Sequence, residues 1–229
     1  MAERGVSNER RKELEQIDPF QEKLLNALAY GKKNQKQLLL ILGGIVLVIV
    51  IFSGIMFSFK KSENIASDLV AAAAITYAKA NDPVKGFQAV TADFEMVFSE
   101  YSNTSAGKMG KVKFAKICFD AGEYDRAFEL YKEALEIFKN EAGMKNFLLA
   151  SLGHVSQARN EIETAKSYFL EIETGASDLL KDEARFALAG IYEASNDQTS
   201  SLAMYEKIVR DHENSIYRSI AESKIQDVK

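Results

Sequence analysis

Between Leu38 and Phe59 the chain runs for 22 residues without a charge, and 16 of them are Leu, Ile, Val or Phe. As a helix rising ~1.5 Å per residue, this run reaches about 33 Å, enough to cross a hydrocarbon core of roughly 30 Å. Each strongly apolar residue favours insertion by about 0.3–0.6 kcal/mol, which outweighs the contribution of Gly43, Gly44 and Gly54. A buried helix of a soluble core rarely runs so far without a charge. A cleaved leader fits poorly, since the run is long, begins only at Leu38 and lacks a small-x-small pattern after Phe59. The one cysteine, Cys118, lies far downstream and also excludes a disulfide framework or a thiolate metal cluster. The sequence thus predicts an uncleaved anchor over 38–59.

Charge is distributed unevenly on either side of that span. The net charge of −4 divides into a tail, 1–37, with eight Lys/Arg against six Asp/Glu, the pair Lys60 and Lys61, and a long segment, 62–229, with 19 against 27. An acidic segment of that size repels phosphate and argues against nucleic acid as a partner. Lys23, Lys32, Lys33 and Lys36 precede the span, and Lys60, Lys61 and Lys79 follow it. With Arg4, Arg10, Arg11 and Lys12 added, the balance places the N-terminus in the cytoplasm and 62–229 across the membrane. Residues 1–15 are charge-dense and read as disordered. Asp18-Pro19 opens a short amphipathic helix carrying Phe20, Leu24, Leu25 and Leu28 and ending near Gly31. Two readings stand for it: a helix lying on the inner leaflet or docking a partner, and a juxtamembrane extension of the span.

Beyond Ser62 the periodicity is helical throughout, so the fold class is all-α, and a spacing recurs. Gly122 is followed by Ala127, Tyr131 and Ala134, one stripe at i, i+4 and i+7 in which alanines admit a neighbouring helix and the aromatic fills the gap. The frame returns as Ala165, Phe169 and Ile172, and again as Ser201, Tyr205 and Ile208; Val90, Phe94 and Val97 form a degenerate earlier copy. Small residues on the preceding helices fall at Ala78, Ala115, Gly153 and Ala189. The unit resembles the tetratricopeptide repeat. That resemblance implies an α-solenoid of three to four helical hairpins at about 65–102, 108–140, 145–175 and 180–212, closed by a capping helix at 214–228. Asp82-Pro83 and Thr104 read as helix starts, with Ser215 capping the last helix.

No catalytic, cofactor-binding or metal-ligating constellation emerges. His154 and His212 are the only histidines, and Cys118 lies between Ile117 and Phe119 as a small core residue would. Gly107-Lys108-Met109-Gly110-Lys111 lacks the spacing of a phosphate-binding loop and reads as a turn between repeats. Glu161/Glu163 and Glu171/Glu173, two apart on helices, do not pair. Stacked hairpins instead offer a groove lined by their first helices. In the repeat frame its residues are Lys79, Met109, Val112, Lys116, Phe119, Phe147, His154, Gln157, Phe186 and Glu193.

A short tail, one signal anchor and an extracytoplasmic repeat domain together resemble the bacterial ancillary SecYEG translocon subunit family. That resemblance implies an inner-membrane protein with a periplasmic C-terminal domain that binds rather than catalyses. Its implied partners are translocon components, periplasmic chaperones or exported clients, besides the lipid bilayer; it implies no cofactor. A scaffold of another envelope complex, for division or secretion, is the alternative from a different class, and an organelle receptor with cytosolic repeats is a third. Gly54-x₃-Ser58 leaves a homo-oligomer open.

Overall fold

The computed structural model describes residues 19–227, which hold ten helices and no strand. The chain divides into two compact units, Met1–Ser58 and Phe59–Lys229. The expectations for residues 1–15 and for Asp18 lie outside the described residues.

In the first unit, α1 (Pro19–Lys33) is followed by the opening of α2 (Gln35–Lys79). The N–H of Asn34 donates to the Tyr30 carbonyl and that of Leu38 to the Asn34 carbonyl, both at 3.0 Å. The i→i−4 ladder therefore persists across the junction, which favours the juxtamembrane-extension reading of α1. Along 38–59 the large apolar side chains are 43–76% exposed, and none of the most apolar stretch is buried by protein. This is the one helix among the described residues long and apolar enough to cross a membrane. A contiguous apolar surface of this extent requires a non-aqueous cover.

The second unit begins within α2, whose buried stripe is Ala66, Val70 and Ala73. Ala78, expected at the small packing position, is exposed; Ala73 takes that place. Five residues turn a helix by about 140° beyond a full turn, so the two alanines point in different directions. α3 (Pro83–Glu100) starts where the Asp82 carboxylate accepts from the Lys85 N–H at 2.8 Å, with Pro83 at its first position. α4 (Ser105–Asp120) starts at Thr104, whose Oγ1 accepts from the Gly107 N–H at 2.9 Å. The Glu63 carboxylate of α2 accepts from the Ser105 and Ala106 N–H groups at 2.7 and 2.8 Å, satisfying two more orphan donors.

Residues 107–111 are thus part of α4, not a turn. Their glycines serve close approach: a Cβ on Gly107 would stand 2.2 Å from the Tyr101 carbonyl oxygen, and one on Gly110 would press on Val70.

From α3 onward the extensive packing is between sequence neighbours, through α5 (Tyr124–Phe138), α6 (Ala142–Ala158), α7 (Ile162–Thr174), α8 (Lys181–Ala194), α9 (Gln198–Asp211) and α10 (Arg218–Gln226). Three hairpin turns, α4–α5, α6–α7 and α8–α9, share one geometry. Gly122, Asn160 and Asn196 have φ of 83°, 63° and 61°. The next residue's N–H reaches back five positions, Glu123 to Cys118, Glu161 to Ser156 and Asp197 to Tyr192, at 2.8–2.9 Å. These are Schellman closures, placed where glycine or asparagine accepts the left-handed conformation most readily.

Three consecutive apolar clusters run through the unit. Ala115, Ala127, Tyr131, Ala134, Ala165, Phe169, Ala189, Ser201 and Tyr205 are all buried. Gly153 is covered by the Phe169 ring, and a Cβ there would lie 2.5 Å from Cζ. Between α7, α8 and α9 an ion-pair network surrounds the buried Arg185 and reaches the surface at Lys207 and Asp211. The Arg185 guanidinium donates to Glu173 at 2.7 Å and to Asp211 at 3.0 Å, and Lys207 donates to Glu173 at 2.7 Å. The last helix starts at Arg218 rather than 214, and Ser215 does not cap it. The Ser215 hydroxyl donates instead to Asp182 at 2.7 Å, tying the final turn to the start of α8.

Candidate binding cleft

The first helices of the three hairpins, α4, α6 and α8, wall a cleft of about 550 Å³. Lys116 and Phe119 come from α4; Phe147, Ala150, Ser151 and His154 from α6; Leu180 and Glu183 from the start of α8; Tyr131 of α5 forms the floor. Phe147 is 41% exposed in spite of its size. Phe119 is half-buried against the Tyr124 ring, 5.6 Å away between centroids.

The wall at α8 depends on the connection before it. The Asn146 amide, buried on α6, donates to the Leu179 carbonyl at 2.7 Å. Leu180 follows in the left-handed region, with φ of 60°, and enters the cleft as α8 begins. This conformation is unfavourable for leucine, and its lost water contact offsets part of that cost.

The polar groups of the cleft are mutually engaged. His154 Nε2 lies 2.8 Å from Glu183 Oε1, and its Nδ1 lies 3.3 Å from the Gln157 side chain. With Glu183 ionised, Nε2 carries the hydrogen and donates. The imidazole also meets the Phe169 ring edge-on at 5.2 Å. Lys116 pairs with Asp120 one turn along α4. Burial pushes the Tyr131 phenol up to about 12, against an opposing hydrogen bond with Ser151, so it stays neutral.

Of the residues expected in a groove, Lys116, Phe119, Phe147 and His154 converge here, with Gln157 behind the histidine. The others do not join them. Lys79 is exposed at the last position of α2. Met109 packs against the first apolar cluster, and Val112, only 6% exposed, is part of it rather than of a groove. Phe186 is stacked on Tyr217, centroids 4.5 Å apart, and Glu193 pairs with Lys224 of α10 at 3.0 Å. Both are occupied by the C-terminal helix.

Sequence reasoning missed Leu180 and Glu183, which follow an irregular connection outside the repeat stripe, and treated Tyr131 as framework alone. Cys118 is buried, which pushes its thiol up to about 12. Among the described residues no group of three His, Cys, Asp or Glu side chains is placed to hold a metal ion.

A second, polar depression joins the α4–α5 and α6–α7 turns. There Arg159 reaches Asp125 at 3.1 Å and Glu161 at 3.0 Å, and its guanidinium covers the Phe128 ring. Comparison with protein-family models and with curated proteins gives no match to this chain.

Proposed function

We propose that this protein is a membrane-anchored protein-interaction module whose second unit is a tetratricopeptide-like stack of helical hairpins. The observation that carries the reading is the open apolar cleft between α4, α6 and α8, with Phe147 left 41% exposed at its edge. An aromatic held in such a position is the usual anchor of a protein interface, and peptides lie along the first helices of stacked hairpins. Three turns closed alike at Gly122, Asn160 and Asn196, 38 and 36 residues apart, support the repeat reading independently of the apolar stripe.

In this reading α2 is a signal anchor, the N-terminus is cytoplasmic, and the hairpins face the periplasm of a bacterial cell. The architecture resembles that of the ancillary SecYEG translocon subunits, so the partners are translocon components, periplasmic chaperones or exported clients. The protein holds them and performs no chemistry on them.

Chemical crosslinking in cells, followed by co-purification, tests this with wild type against Phe147→Glu. Translocon or chaperone components recovered with wild type and lost with the variant are the expected result. Recovery of division or secretion-complex proteins, undiminished in the variant, would favour a scaffold. Lipid without any protein partner would overturn both.

A further inference from the structure

Two of the three walls of the cleft, α4 and α6, concentrate cations that the acidic total conceals, whereas α8 carries Lys181 and Arg185 against Asp182, Glu183 and Glu193. α4 carries Lys108, Lys111, Lys113 and Lys116 against Asp120, and α6 adds Lys145 and no carboxylate. The second helices, α3, α5 and α7, carry ten carboxylates against four cations. At the cleft itself the Lys116 side chain is 59% exposed and held only by its i,i+4 pair with Asp120. Such a pair exchanges readily for a ligand carboxylate, because exposed ion pairs contribute little. Lys113, three residues earlier and exposed, has no ion-pair partner among the described residues. The one carboxylate lining the cleft, Glu183, is taken by His154.

We propose that the cleft selects extended segments in which a large apolar side chain is followed two residues on by Asp or Glu, so that both point to one face. The apolar group seats against Phe119, Phe147 and Leu180, and the carboxylate meets Lys116 and Lys113. This rests on the binding-module reading above and names its ligand class. The acidic second helices α3, α5 and α7 add direction, since they repel an acidic segment from the face they present. A basic segment meets the reverse arrangement: the lysines oppose it, and Glu183 already has a partner.

The test uses the full-length protein in nanodiscs of phosphatidylcholine, so that no anionic lipid competes. End-blocked, fluorescein-labelled peptides with a central Leu-Phe-Glu, Leu-Phe-Gln or Leu-Phe-Lys are titrated by fluorescence anisotropy. The Glu peptide binds about fivefold tighter than the Gln peptide, the scale of an exposed charge pair, and the Lys peptide binds weakest. The preference shrinks at high salt. Lys113→Glu, at an exposed and unpaired site, reduces the Glu preference, and Lys113→Glu/Lys116→Glu inverts the order. Equal affinities, or a preference for Lys, would overturn the ligand class and leave the binding module standing. No binding by any peptide would overturn both.

Discussion

Gly153 and Phe169 show how finely the interior is matched. The ring of one occupies the space a side chain would need at the other, so Gly153→Ala forces a fully buried aromatic to move. Overpacking of this kind costs about 1–3 kcal/mol, read as a lower urea midpoint for the full-length protein in detergent micelles. Phe169→Leu in the same chain recovers part of the loss, although alone it is destabilising. Cys118 is a residue-scale reporter of the same interior. Its thiol, buried and raised to about 12, reacts with maleimide at neutral pH only as fast as the second unit opens. Labelling therefore accelerates with urea and with Gly153→Ala. Rapid labelling of the native protein would show that the thiol is accessible.

At the scale of elements, the packing of α7, α8 and α9 depends on Glu173. Its burial raises the carboxyl pKa, but hydrogen bonds from Lys207 and Arg185 outweigh that and hold it below its ordinary value of 4.5. A depressed folded-state pKa contributes stability that is complete above the unfolded value and lost as pH falls through the folded one. The second unit accordingly weakens below about pH 4.5, and Glu173→Gln flattens that acid limb in pH-dependent unfolding while lowering stability at neutral pH. Arg185→Met, which leaves a buried carboxylate with one partner fewer, costs about 3 kcal/mol.

Helical elements were legible where a stripe was unambiguous. Ala127, Tyr131 and Ala134 admit one register, whereas Ala71 to Ala74 and Ala78 admit several on an uninterrupted α2. The sequence therefore points to Ala78 as the small packing position, which the fold gives to Ala73. Gly107 and Gly110 look like a turn because glycine is usually read through its backbone freedom; here its missing side chain is what the packing requires. The cleft was half legible. Phe119, Phe147 and His154 follow from helical spacing, but Leu180 enters through a left-handed residue that no periodicity announces.

At the scale of the molecule, the exposed apolar run of α2 and the cleft of the second unit are the two features that water-soluble folding leaves unexplained. The first is checked by carbonate extraction of membranes. Wild type stays in the pellet, while Leu47→Arg/Ile51→Arg, at about 2.5–3.5 kcal/mol per arginine, moves to the supernatant. Protease added to spheroplasts cleaves the second unit if it faces the periplasm; protection would reverse the orientation. The second feature carries the central claim, and positional photo-crosslinking in living cells tests it most directly. A photoreactive amino acid is placed either at Phe147, in the cleft, or at Glu136, whose side chain is 75% exposed on the second helix α5. Discrete polypeptide adducts from position 147 that are absent from position 136 are predicted. Equal or absent adducts at the two positions would contradict the cleft as the binding site.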